Sequence, residues 1–193
     1  MVDDGQHLNH GVLGLQQALE VGSLAITAEV MPPRGGDAGA TLAHARALKG
    51  RVHAVNVTDG SRAVMRMSSL AVCRLLLDEG IEPVWQLACR DRNRIALQAD
   101  LLGAHALGIR NVLCLTGDPV RAGDQPQARP VNELESVRLL QQLQAFVAVA
   151  ERGSFRAAAE HIHLSAPALS RRIEKLESII GVRLFNRTTR EVE

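Results

Sequence analysis

An α/β fold followed by a smaller α-helical module is the architecture that this 193-residue sequence predicts, and three observations predict it. Four short apolar runs alternate with helical patterns at a spacing of about 30 residues, the rhythm of repeated βα units. Composition changes at residue 137: 14 of the 16 glycines and six of the seven prolines precede it, and all three phenylalanines follow it. Charge changes there too, from 13 basic and 15 acidic side chains in residues 1–136 to nine and six in residues 137–193. The modules are therefore read as 1–136 and 137–193, and the basic second module favours a polyanionic partner.

The first element is a short helix at Leu13 to Glu20. LAITAEV (24–30), VHAVNVT (52–58), EPVWQLA (82–88) and NVLCLTG (111–117) then read as strands buried on both faces. Between them lie helices at Thr41 to Lys49, Ser68 to Glu79 and Arg92 to Leu107, the last two stopped by Gly80 and Gly108. Consecutive βα units with short turns give a right-handed parallel sheet, either part of a (β/α)8 barrel or a doubly wound layer. Charged residues interrupt every apolar run before the roughly 18 residues needed to span a bilayer, and the start MVDDGQHLNHG has no signal-peptide pattern. A cytoplasmic protein with no membrane partner is expected. Cys73, Cys89 and Cys114 are too widely spaced for a zinc site or a disulfide framework, so they read as small buried hydrophobes and no metal ligands are assigned.

Polar residues collect where the strands end, at Glu29, Thr58, Gln86 and Asp118. In parallel α/β folds that edge binds ligands. Each also has a plain structural role available: Thr58 and Asp118 as loop caps, Gln86 as a backbone partner, Glu29 as an ion-pair partner of Arg34 or Arg62.

The stretches EVMPPRG from Glu29, VTDG from Val57, QLACRDRNR from Gln86, LLGAHALGI from Leu101 and LTGD from Leu115 resemble methylenetetrahydrofolate reductase over about residues 12–140. The resemblance implies a TIM-barrel fold that passes a hydride from NAD(P)H through FAD to a folate substrate. It assigns Glu29 as the acid toward the folate and Thr58 as a flavin contact. Asp118, next to Gly117, becomes the aspartate beside the flavin ring; Gln86 takes a flavin-side position where other members carry His. A desolvated carboxylate retains its proton as a general acid requires, and a second carboxylate disfavours added negative charge on a reduced ring. A full barrel takes about 250 residues, so residues 1–136 are expected to form a (β/α)4 half-barrel. Such a half is catalytically incomplete unless oligomerised or complemented. Its outer strands, 24–30 and 111–117, present open edges for self-association.

In the second module, Asn132 and Glu135 resemble a capping box, and Val137, Leu140, Leu143, Phe146, Val147 and Ala150 keep helical spacing, so one helix over about 132–150 joins the modules. Gly153 stops it, Ser154 caps a helix over Phe155 to Ile162, and Ser165 with Pro167 opens a third. Leu169, Ile173, Leu176 and Ile180 form its buried stripe, leaving Ser170, Arg171, Glu174 and Lys175 toward solvent. Two short helices, a brief turn and a basic face suggest helix-turn-helix.

The segments from Leu143 to Ala159, Leu164 to Glu177 and Gly181 to Arg190 resemble the winged helix-turn-helix DNA-binding domain of LysR-type transcriptional regulators, over about residues 141–193. The resemblance implies DNA as partner. Ser165, Ala166, Pro167, Ala168, Ser170 and Arg171 would face the major groove, and Arg187, Thr188 and Arg190 would touch phosphate from the wing. Ala166 stands where that family often has Gln, which removes one base contact. Three readings follow: a reductase-like enzyme, a DNA-binding regulator, and a chimera without function, artefactual or designed.

Overall fold

The computed structural model describes residues 14–131 and 133–180. Within them the chain forms α1 (Leu15–Glu20), β1 (Thr27–Val30), α2 (Gly39–Leu48), β2 (Ala54–Val57), α3 (Ser69–Asp78), β3 (Pro83–Ala88), α4 (Arg94–Ala106) and β4 (Asn111–Leu115). Three further helices follow: α5 (Ser136–Arg152), α6 (Phe155–His161) and α7 (Ala166–Ile180). All four expected strands are present, each starting at or after the expected residue and none reaching further than it, but β1 and β4, at the edges of the sheet, are not buried on both faces as expected, whereas β3 is. The sheet order is β1-β2-β3-β4. No reversal interrupts that order, so the described sheet is wound in one direction, which the doubly wound layer is not.

The described residues divide into two compact units, one of residues 14–87, 102–113 and 117–128, the other of 88–101, 114–116, 129–131 and 133–180. In the first, β1 and β2 pair in parallel with Glu29 opposite Asn56 and Val30 opposite Val57. β2 pairs with β3 so that Asn56 meets Val84 and Val57 meets Trp85. Side chains alternate along a strand, so this register sends Val55, Val57 and Trp85 to one face and Glu29, Thr58 and Gln86 to the other. The Trp85 face is the one α3 covers. The indole N–H donates to Ser69 Oγ at 2.9 Å, and that hydroxyl donates to the Gln86 carbonyl at 3.2 Å. Val72, Cys73 and Leu76 of α3 are fully buried with Trp85, Val55 and Val57. A completely enclosed indole needs such a partner, since an unmade buried hydrogen bond costs about 1–3 kcal/mol. Gly80 and Gly108 end α3 and α4 with φ of 65° and 84°, the left-handed region glycine enters without steric cost.

In the second unit, Ala145, Ala148 and Val149 of α5 pack on Ala158 and Ala159 of α6 and on Leu169 and Ile173 of α7. Small alanines on two of the helices let a three-helix cluster close with few large side chains. Gly153 (φ 59°) ends α5, and Ser154 Oγ accepts from the Ala157 amide at 3.4 Å to cap α6. α5 starts at Ser136, later than expected, and Glu135 stands at its cap position without a side-chain capping bond; Asn132 lies outside the described residues. Instead Thr116 Oγ1, just beyond β4, accepts from the Ser136 amide at 3.3 Å. The helix runs to Arg152, where Gly153 stops it as expected.

Cys73 and Cys89 are buried and Cys114 is half-buried, all as free thiols. Burial pushes the Cys73 thiol up to about 12 and the Cys114 thiol up to about 11, because the thiolate loses its water. Both values lie above the ordinary thiol range, so this contribution to stability is complete below about pH 8.5 and is lost as unfolded thiols ionise first. Stability measured by urea denaturation is expected to fall between about pH 9 and 12, and Cys73→Ala to flatten the fall. The chain has no tyrosine to obscure that window.

Candidate functional site

The strand register places Glu29, Thr58 and Gln86 on the face away from α3, at the carboxyl ends of β1, β2 and β3. Glu29 and Gln86 meet directly: the Gln86 amide Nε2 donates to Glu29 Oε2 at 2.9 Å, across the intervening strand. Gln86 is buried whereas Glu29 is exposed, so the desolvation expected of a general acid is not present at this carboxylate. Neither Arg34 nor Arg62 pairs with this carboxylate. Arg34 reaches Asp124 at 3.7 Å instead.

Thr58 is 3% exposed, and its Oγ1 is enclosed with no hydrogen-bond partner. Its backbone is satisfied, the amide donating to the Val30 carbonyl at 3.2 Å. A loop-capping role for its side chain is therefore not what the structure has. An enclosed hydroxyl without a partner is a costly arrangement that a ligand acceptor relieves.

Asp118 follows β4. Its Oδ2 accepts from the Arg62 amide at 2.6 Å, and Asp124 Oδ1 in the same loop accepts from the Met65 amide at 2.9 Å. Asp118 thus holds the loop after β2, close to the capping role open to it in the sequence. That loop is strained: Arg62 and Ala63 have φ of 58° and 55°, left-handed values unusual for residues with a Cβ. The two carboxylates restrain it from one side. Gly117 precedes Asp118 with φ of 95°, a conformation glycine tolerates.

Sequence reasoning missed three features. Gly123 meets the Ala63 backbone so closely that a Cβ would stand 1.8 Å from the Ala63 carbonyl oxygen. Arg66 Nη1 donates to the Pro32 carbonyl at 2.9 Å while its Nε is enclosed without a partner. Thr41 Oγ1 donates to the Met31 carbonyl at 3.0 Å. No local pattern signals any of them, because each depends on which loops the sheet brings side by side. Among the described residues, no group of three or more His, Cys, Asp or Glu is placed to hold a metal ion, and no helix is long and apolar enough to cross a membrane.

In the helical module, Ser165, Ala166, Pro167 and Arg171 are exposed, whereas Ala168 and Ser170 are half-buried. Ser165 Oγ accepts from the Ala168 amide at 3.3 Å and so caps α7. Leu169 and Ile173 are fully buried, as their spacing requires. Arg187, Thr188 and Arg190 lie outside the described residues.

A one-way parallel sheet with an amide, a carboxylate and an enclosed hydroxyl on one face at its carboxyl edge has the site architecture of the barrel-type α/β class. Within that class, the chain belongs to the methylenetetrahydrofolate reductase family, whose model matches residues 14–174. A second similarity concerns a shorter stretch. The chain is 54% identical over 54 residues to the HTH-type transcriptional regulator TfdT of Cupriavidus pinatubonensis, covering 28% of this chain and 24% of that protein. It is 55% identical over 53 residues to the SDS degradation transcriptional activation protein of a Pseudomonas strain, covering 28% and 17%. The matches thus span about a quarter or less of these two relatives. Among solved structures, the CbnR DNA-binding domain in complex with DNA is 43% identical, with 28% of this chain and 61% of that chain covered and a TM-score of 0.27. Both similarities together make this a two-module protein.

The contact at Gly123 yields a prediction. Gly123→Ala forces the loop after β4 away from Ala63, and is expected to lower stability by about 2–3 kcal/mol. Urea denaturation followed by the fluorescence of Trp85, the only tryptophan in the sequence, measures it.

Proposed function

We propose that the strand-end face is the flavin- and folate-side half of a methylenetetrahydrofolate reductase barrel, and that the helical module ties this half to DNA. The observation carrying the first part is the enclosed, unpartnered Thr58 hydroxyl on the same face as the Glu29–Gln86 pair. FAD fits that setting, because its heteroatoms offer the acceptor that Thr58 lacks. Thr58, Gln86, Gly117 and Asp118 are the residues that would hold it. When bound, FAD supplies hydride transfer between NAD(P)H and methylenetetrahydrofolate.

This chain's residues do the rest. Gln86 orients the Glu29 carboxyl by its hydrogen bond, and Glu29 delivers a proton to the folate. Asp118, fixed by the Arg62 amide, contributes the negative charge on its side of the site. We read the described four-stranded sheet as half of an eight-stranded ring, with four further strands needed to exclude water and orient the substrate. A second copy supplies them most simply, through β1 and β4 at the two edges of the sheet.

Two variants separate binding from chemistry. Thr58→Val, nearly isosteric, is expected to weaken FAD binding at least tenfold in a fluorescence titration. Glu29→Gln is expected to leave FAD binding unchanged and abolish methylenetetrahydrofolate reduction. Turnover is expected only at protein concentrations where sedimentation shows dimers. Unchanged turnover in Glu29→Gln removes Glu29 from the mechanism.

For the helical module, similarity to regulators and to domains crystallised with DNA supports a helix-turn-helix in which α7 enters the major groove. Arg171 on its exposed face is the residue best placed to contact DNA. With about four or five phosphate contacts, log affinity should fall with log salt at a slope near −4, and the dissociation constant should lie near micromolar. Arg171→Ala is expected to weaken binding about tenfold in an anisotropy titration. Arg74→Ala, whose guanidinium in the first module is engaged by the Leu107 carbonyl and Asp78, is expected to leave it unchanged.

A further inference from the structure

Helices α1, α3, α4 and α6 end in the same hydrogen-bonded closure. In each, the amide of a left-handed residue donates to the carbonyl three positions back, and the next amide donates to the one five positions back. After α3 these bonds run from Gly80 to Leu77 and from Ile81 to Leu76, both at 2.9 Å; Gly22 and Gly108 close α1 and α4 in the same way. After α6 they run from His163 to Glu160 at 3.3 Å and from Leu164 to Ala159 at 2.8 Å. The left-handed residue has φ of 69°, 65° and 84° in the three glycine closures and 54° at His163. Glycine adopts these values without steric cost, whereas a histidine Cβ is strained there.

The backbone therefore favours glycine at position 163, and the imidazole does nothing within the chain that offsets the strain. His163 is exposed, and among the described residues its ring has no hydrogen bond or ion pair. A strained residue whose side chain is unused internally points to a use outside the chain. The position of the ring indicates which. Two residues on, Ser165 caps α7, and Ala166 and Pro167 stand exposed in the first turn of that helix. The start of the recognition helix is the part of a helix-turn-helix that enters the major groove, whose rims are lined by phosphates. The charged groups nearest this turn on the three packed helices are Arg152 of α5, Arg156, Glu160 and His161 of α6, and Arg171, Arg172 and Glu174 of α7. Arg152 Nη2 donates to His161 Nδ1 at 3.1 Å, and Arg156 pairs with Glu160 at 3.3 Å. The carboxylate of α6 is thus already engaged, and basic groups outnumber acidic ones around the turn, as a polyanionic partner requires.

We propose that His163 is a DNA contact: its imidazole donates to a phosphate at the rim of the groove that α7 enters, and it binds more strongly once protonated. The proposal rests on the DNA-binding reading of the helical module and adds to it a residue that the resemblance to regulators does not assign. Histidine gains its charge between about pH 8 and 5. DNA affinity therefore rises as the pH falls through that range, which arginine contacts alone do not produce.

The experiment is an anisotropy titration of the full chain with a labelled mixed-sequence DNA duplex at low salt, at about pH 6 and about pH 8. The unaltered chain is expected to bind at least fivefold more tightly at the lower pH. His163→Gly relieves the strained closure and so keeps the fold, which circular dichroism checks. It should abolish the pH dependence and make the salt slope at the lower pH shallower by about one. His163→Asn, which accepts the left-handed conformation without the charge, should behave alike, whereas His161→Gln should keep the pH dependence. Retention of the full pH dependence in His163→Gly, or unchanged affinity of that variant at the lower pH, overturns the proposal. If Arg171→Ala weakens binding and His163→Gly does not, this contact alone fails; if the chain has no affinity for the duplex at either pH, the DNA-binding reading fails with it.

Discussion

A slip of one residue in the pairing of β2 with its neighbours would exchange the two faces of the sheet, and most of the first unit's organisation depends on that slip not occurring. The observed register opposes Val57 to both Val30 and Trp85. It thereby sends the large apolar side chains toward α3 and the polar residues of three strands to the other face. The Trp85–Ser69–Gln86 hydrogen-bond chain locks this choice. With the faces inverted, the indole would have no hydroxyl beside it, and Thr58 and Gln86 would meet the apolar face of α3.

That same constraint explains why polar groups at the carboxyl edge remain available. Backbone pairing satisfies the strands, and α3 satisfies the indole, so Glu29 and Gln86 are left to bond one another and the Thr58 hydroxyl bonds nothing among the described residues. The loops beyond the strands are held differently, by carboxylates accepting from backbone amides. Asp118 and Asp124 restrain a segment in which Arg62 and Ala63 hold left-handed conformations, each costing on the order of 1 kcal/mol or more. Strain held by charge-assisted hydrogen bonds beside a candidate site keeps Asp118 in one orientation, which a positioned negative charge requires.

The helical module rests on local chemistry to a greater extent. Gly153, Ser154 and Ser165 end or cap its helices where their side chains or lack of one make that favourable. Its small core of alanine, valine, leucine and isoleucine follows from helical spacing. Its similarity to DNA-binding regulators covers a short stretch at high identity, whereas the reductase-family match extends over most of the chain.

What could be read from the sequence and what could not follow a physical division. Strands β1 to β4, the glycine stops after α3 and α4, and the Ser154 cap depend on residues within a few positions of one another, so apolar runs and turn chemistry determined them. Glu29, Thr58, Gln86 and Asp118 were also legible as strand-end residues, because each is a polar side chain at the end of an apolar run, on the edge where parallel α/β folds bind ligands. Their partners were not legible. Glu29 bonds a residue 57 positions away rather than Arg34 or Arg62, and Asp118 bonds an amide 56 positions away. The start of α5 shows the same limit, since the Ser136 amide donates to Thr116, which only the end of β4 brings there. The close approach of Gly123 to Ala63 likewise exists only once two loops are adjacent. Sequence determined which segments fold into which elements, because those preferences are local; the tertiary structure decided which polar groups meet, because hydrogen bonds across the sheet depend on strand order and register.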